Sequence, residues 1–178
     1  FAIPWSYPPF QDESVRLAPD KRPSLSVFST LIRPKSRGTV RLASADPLAA
    51  PVIDPQLLAE PDDLKVLIEG VEMLRAIMAN SAIAKHVREE YEPGPDYTGD
   101  KLKDEVLRRV STVYHPVGSC RMGVDERAVV DPELKVHGVE GLRVADASIM
   151  PSIIGGNTNA PSMMIGDMAG AIILGDEL

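Results

Sequence analysis

Cys120 is the chain's one cysteine, so no internal disulfide can staple it. That fits a reducing compartment, and a cytoplasmic location is the expectation. Three histidines (His86, His115 and His137) and that cysteine lack the spacing of metal ligands, so no metal site is expected. No apolar run reaches the roughly 18 residues that a membrane-spanning helix needs. Phe1-Ala2-Ile3-Pro4-Trp5 has neither an initiator Met nor the basic-then-apolar layout of a signal peptide. The chain therefore reads as a processed product or the C-terminal part of a longer polypeptide. There is no G-x-S-x-G elbow for a serine hydrolase, and neither G-x-G-x-x-G nor a P-loop occurs. Basic charge is also short: the net charge of −7 argues against a nucleic-acid surface, which needs clustered Lys and Arg.

What is present is ordinary globular material. Hydrophobic residues make up 44% and charged residues 25%, which excludes disorder as the main state and allows one large domain or parts of two. Sixteen dispersed prolines predict many irregular connections, and residues 1–24 read as loop. Apolar-polar alternation predicts strands over Ser24–Leu31 and Thr39–Ala43, paired as an antiparallel hairpin around Pro34–Gly38. Asp46-Pro47 and Asp54-Pro55 are turn signals. Pro61–Ala79 is the strongest helix, with acids in its first turn and Leu64, Leu67, Ile68, Val71, Leu74, Ile77 and Met78 on one face. A shorter helix is expected to about Glu90, and another, capped by Asp100, through Val110. Ala128–Val130, Leu134–Val136 and Leu142–Ala145 read as short strands or extended pieces. A last helix starts near Pro161, where Met163, Met164 and Met168 read as core filling.

Two clusters can carry chemistry. In Tyr114-His115-Pro116-Val117-Gly118-Ser119-Cys120-Arg121-Met122-Gly123, Pro116 confines His115 to extended backbone. A fixed imidazole of this kind serves as a general base, or as a hydrogen-bonded structural group. His86 and His137 have no such surroundings and read as solvated. In Gly155-Gly156-Asn157-Thr158-Asn159-Ala160-Pro161, one of the two Asn residues is expected to cap the following helix. The free N–H groups at that helix start would suit an anion or a developing negative charge, with Thr158 assisting.

These clusters, with Val130-Asp131-Pro132 and Gly141-Leu142-Arg143-Val144-Ala145-Asp146-Ala147-Ser148 between them, resemble the C-terminal part of glucose–methanol–choline (GMC) flavin oxidoreductases. The likeness is nearest to choline-dehydrogenase-like alcohol dehydrogenases, and it runs from about Ser24 onward. It implies an α/β fold, α+β in its substrate part: the C-terminal portion of an FAD-binding fold, with an antiparallel substrate-domain sheet flanked by helices. Residues 1–112 would belong to the substrate-binding domain and residues 113–178 to the FAD-binding domain. It also implies oxidation of a small-molecule alcohol to a carbonyl, with FAD as hydride acceptor. His115 matches the family's base and Asn157 its second group on the substrate oxygen. Val113 and Tyr114 match positions beside the flavin ring, and Asp146 and Ala147 match the strand tip near its ribityl chain and phosphates. Asn157, Thr158 and Asn159 match the stretch facing its pyrimidine ring. The Gly-rich FAD loop is missing, so the partner implied is an N-terminal FAD-binding half, in the same precursor or a separate chain. Alone, the chain is expected to expose apolar surface. The same scaffold also hosts hydroxynitrile lyases and light-driven decarboxylases, and a non-catalytic segment that merely completes the fold is the remaining alternative.

Overall fold

The computed structural model describes residues 2–4 and 22–175, so most of the loop expected over residues 1–24 lies outside the described residues. The chain forms two compact units, one drawn from Phe1–Leu31 and Pro61–Arg109, the other from Ile32–Glu60 and Val110–Leu178. The chain thus changes unit three times, after Leu31, after Glu60 and after Arg109. The segment Ile32–Glu60 groups with the second unit rather than the first.

In the first unit β1 (Ala2–Ile3) pairs antiparallel with β2 (Ser26–Val27), Ala2 facing Val27 and Ile3 facing Ser26. Helix α1 spans Pro61–Met78, with Asp62 and Asp63 in its first turn and Arg75 in its last. Leu64, Leu67, Ile68, Val71, Leu74 and Met78 form its half-buried stripe, whereas Ile77 lies outside it and is exposed. Helix α2 (Ser81–Ala84) is capped by Asn80, whose Oδ1 accepts from Ala82 N at 3.0 Å. It stops well short of Glu90, because His86 N and Val87 N bond to Ile83 and Ala84 carbonyls three residues back and tighten the chain into turns. Helix α3 (Gly99–Arg109) packs on α1, and its Leu102 is fully buried. Asp100, expected as its cap, sits inside its first turn instead, because the helix already begins at Gly99.

Charge ties this unit together. Arg75 holds Glu90 by two nitrogens (Nε 3.0 Å, Nη2 2.8 Å) and donates to the carbonyls of Gly94 (3.0 Å) and Tyr97 (2.8 Å), which fastens the Pro- and Gly-rich loop to α1. Glu105, only 7% exposed, accepts from Arg108 at 2.9 and 2.6 Å and from Arg109, which also reaches Glu92 at 2.7 Å. The Arg108 hydrogen bond, joined by that of Arg109, holds the Glu105 carboxyl below its ordinary value of 4.5 against the opposing effect of burial. A carboxylate depressed on folding stabilises the fold above its unfolded pKa, and that contribution is lost as pH falls through the lower folded value. Glu105→Gln is therefore expected to lower the unfolding midpoint in urea at neutral pH. The gap to the parent should close as the pH drops below the ordinary glutamate range.

In the second unit β3 (Thr39–Arg41) pairs antiparallel with β4 (Val52–Asp54), with Val40 opposite Ile53. This corrects the predicted hairpin, since neither expected strand pairs with the other. Alternation tells which residues share a face, not which strand is the partner. The reversal is made instead at Asp46, whose carbonyl accepts from Ala49 N and whose Oδ1 accepts from Leu48 N. Arg37 meanwhile folds its guanidinium onto the carbonyls of Pro34, Lys35 and Ser36, so the stretch expected as a hairpin turn wraps on itself. At Gly38 a Cβ would lie 2.3 Å from the Asp54 carbonyl oxygen. Gly38→Ala should therefore destabilise the fold by about 1–3 kcal/mol, read from thermal unfolding, by forcing β4 away.

The core of this unit is Val130, Leu134, Ile149, Met150, Ile165 and Ala169. The expected extended pieces meet there through isolated bridges: Met122 with Val130 in parallel, Val130 with Val136 and Lys135 with Arg143 antiparallel. Helix α4 (Asn159–Leu174) turns Ile165, Ala169 and Ile172 inward. Met163, Met164 and Met168 are 68%, 59% and 40% exposed, so they do not fill the core as expected. Ile165, Ala169 and Ile172, spaced by four and then three, define the buried stripe; Met163 and Met164 turn away from it and Met168 lies at its margin. No helix among the described residues is long and apolar enough to cross a membrane.

Candidate active site

His115 is set between two fixed segments of the second unit. Before it, Tyr114 adopts left-handed backbone (φ 63°), a conformation costly for an aromatic residue, with its N–H donated to Thr112 Oγ1 at 2.9 Å. After it, Gly118 (φ 88°) turns the chain, and a Cβ there would sit 3.3 Å from the Met150 carbonyl. Cys120 N then bonds to Ser148 O (3.0 Å), Met122 N to Ile149 O (2.8 Å) and Gly123 N to Val130 O (2.9 Å), fastening the histidine segment to the core. From the opposite side the loop into α4 brings up its polar tip. Thr158 Oγ1 lies 2.9 Å from His115 Nδ1, and Asn157 Nδ2 lies 3.0 Å from His115 Nε2. Both ring nitrogens are thus engaged, by residues 43 and 42 positions away.

The expectation that Asn157 or Asn159 caps α4 is not met. Thr158 holds the cap position and makes no side-chain cap hydrogen bond. Asn157 spends its amide on His115, and Asn159 is already the first helical residue. The Thr158 carbonyl instead collects Ser162 N at 3.0 Å and Ser162 Oγ at 2.6 Å. Ser162 was not singled out from the sequence, although a serine four residues after a helix start is a known partner for that carbonyl. With no capping side chain and no acid in the first turn, the leading N–H groups of α4 stay available to an acceptor.

The other expected residues do not bond to the imidazole. Val113 and Tyr114 are 55% and 84% exposed. Asp146 starts a short 3-10 turn, Ala147–Ile149, and accepts from Ser148 N at 2.7 Å. The Ser148 hydroxyl, and then its amide, hold the Asp146 carboxyl below its ordinary range. No hydrogen bond among the described residues joins Val113, Asp146, Ala147 or Asn159 to His115. His86 is exposed, as expected. His137, though exposed, is not simply solvated: its Nε2 donates to the Gly123 carbonyl at 3.2 Å. No group of three or more His, Cys, Asp or Glu among the described residues could hold a metal ion.

Residues 34–166 match the family profile described as GMC oxidoreductase. The chain belongs to the GMC oxidoreductase family. Among curated GMC relatives, an alcohol dehydrogenase (acceptor) of Pseudomonas putida is 49% identical over 142 residues, covering 79% of this chain and 26% of that protein. A choline oxidase of Arthrobacter globiformis is 40% identical over 171 residues, covering 93% of this chain and 31% of that one. Among solved structures, a formate oxidase of Aspergillus oryzae RIB40, studied for modification of its FAD, superposes with a TM-score of 0.76 at 33% identity. That match covers 82% of this chain and 26% of the oxidase. The chain thus spans between a quarter and a third of these relatives, and its helices with small antiparallel sheets agree with the expected portion of a GMC fold. Within it, Asp146 offers a direct test of the local geometry. Ser148→Ala should return the Asp146 carboxyl part of the way toward ordinary titration, because the amide contact remains; the carboxyl carbon shift in NMR would record it.

Proposed function

We propose that this chain supplies the acid–base residues of an FAD-dependent enzyme that oxidises a small-molecule alcohol to an aldehyde or ketone. The observation that carries the reading is the 3.0 Å approach of Asn157 Nδ2 to His115 Nε2, which sets two polar atoms within reach of one substrate oxygen. A hydroxyl entering there exchanges their mutual bond for two of its own: it accepts from the Asn157 amide and donates its proton toward His115. His115 then takes the O–H proton as general base, while Asn157 steadies the negative charge growing on oxygen. That charge is what weakens the adjacent C–H bond. FAD, when bound, supplies the acceptor for the hydride.

The chain's residues fit that cofactor by the chemistry of their donors. The uncapped start of α4 leaves the N–H groups of Asn159 and Ala160 for the carbonyl oxygens of a pyrimidine ring. Exposed Val113 and Tyr114 offer apolar surface to a flat ring system. An ionised Asp146, with Ala147 beside it, suits the hydroxyls of a ribityl chain better than a phosphate. Thr158 turns its hydroxyl to His115, so only its backbone is left for the cofactor. We assign residues 113–178 to the FAD-facing portion and residues 1–112 to the substrate portion. An N-terminal FAD-binding half, from the same precursor or a separate chain, completes the site. Exposed Leu42, Leu48, Val40 and Ile53 in the second unit are consistent with surface meant for further protein.

The test is made on the holoenzyme. Anaerobic addition of an alcohol substrate should bleach the flavin absorption and yield the carbonyl product. His115→Ala and Asn157→Ala should each lower kcat by about 10²- to 10⁴-fold while flavin content is retained. Full turnover in His115→Ala, or product formation without bleaching, would reject the reading.

A further inference from the structure

We infer that Thr158 is a positioning residue that, by accepting from Nδ1–H, holds His115 in the tautomer the Asn157 amide requires and so keeps Nε2 as the basic nitrogen. The inference rests on the proposed role of His115 as base. An amide nitrogen can only donate, so the contact from Asn157 Nδ2 makes His115 Nε2 an acceptor without a proton. A neutral imidazole has one N–H, which must then be on Nδ1, and there Thr158 Oγ1 lies at 2.9 Å to accept it. The reverse tautomer would set an N–H against the Asn157 N–H and offer a substrate hydroxyl no lone pair.

Three features mark Thr158 as built for this contact. Its residue is only 9% exposed, so water competes poorly for the hydroxyl. It occupies the cap position of a sixteen-residue helix yet forgoes the cap hydrogen bond that threonine commonly makes there, giving its oxygen to the imidazole instead. Its carbonyl is clamped twice by Ser162, and its branched Cβ restricts rotation, so Oγ1 has a fixed aim. When His115 takes a proton on Nε2, the Nδ1–H bond to Thr158 persists, so the ring keeps its orientation through the transfer.

Histidine-selective ¹⁵N NMR of the holoenzyme, at a pH where the ring is neutral, tests this together with steady-state kinetics on Thr158→Val and Thr158→Ser. The parent should show the Nδ1–H tautomer. Thr158→Val should shift the ring toward Nε2–H and lower kcat by about 10- to 100-fold with little change in KM or flavin content. Thr158→Ser should restore both. A parental Nε2–H tautomer, or a Thr158→Val enzyme with parental tautomer, would overturn the inference even if its kcat fell, since that fall would then be merely structural. Full turnover in His115→Ala would overturn the oxidation reading and this inference together; the Thr158→Val result bears on the inference alone.

Discussion

The pair of hydrogen bonds on His115 joins stretches more than forty residues apart, and neither stretch could hold that geometry alone. Each is pinned to the same small core. Bonds from Cys120, Met122 and Gly123 tie the histidine segment to Ser148, Ile149 and Val130, and α4 is seated by Ile165 and Ala169 in the cluster containing Val130 and Ile149. Because Val130 is fully buried and bridges to both Met122 and Val136, it is the point at which the extended pieces converge. A cavity at Val130 would therefore loosen both sides of the site at once, although the residue touches neither His115 nor Asn157 by any hydrogen bond.

The second unit reaches this arrangement with little regular structure. Its three-residue strands are exposed, and the segments around the site are held by single bridges, turns and one long helix. Backbone groups freed from sheet ladders are satisfied locally: Asp131 Oδ1 accepts from both Glu133 N and Lys135 N, and Asp125 Oδ1 accepts from Arg127 N. Short acidic side chains that mimic turns explain how such Pro- and Gly-rich sequence stays ordered. Four described non-glycine residues of this unit adopt left-handed backbone (Gln56, Leu58, Tyr114 and Leu134), and Tyr114 lies immediately before the histidine.

What could be read from the sequence was what local rules determine. Helix α1 was legible because Pro61, two acids and a 3.6-residue apolar stripe all specify the same element. That the His115 and Asn157 segments would meet was legible from motif order. The strand partners were not, since Ser26–Val27 carries no mark distinguishing Ala2–Ile3 from Thr39–Arg41 as its neighbour. The exposure of Met163 and Met164 was hidden because in an apolar helix every face looks buriable. The cap of α4 was misplaced for a related reason: Thr, Asn and Ser near a helix start are interchangeable as caps, and only tertiary geometry tells that Asn157 and Thr158 both bond to a distant imidazole instead.

Networked ion pairs of Arg75, Glu105 and Arg109 lie in the first unit, and in the second Arg121 holds Asp125 by two nitrogens while Lys135 pairs with Glu133; none of these groups is hydrogen-bonded to His115 among the described residues. The groups hydrogen-bonded to His115 are an amide and a hydroxyl, both neutral. A carboxylate at Nδ1 would orient the ring equally well but would also bind the imidazolium by charge. A hydroxyl at that place fixes direction while leaving the ring's charge state to respond to the oxygen across from Nε2. Orientation and charge are thereby separated, as the role proposed for His115, taking up a proton and giving it back in each turnover, would require.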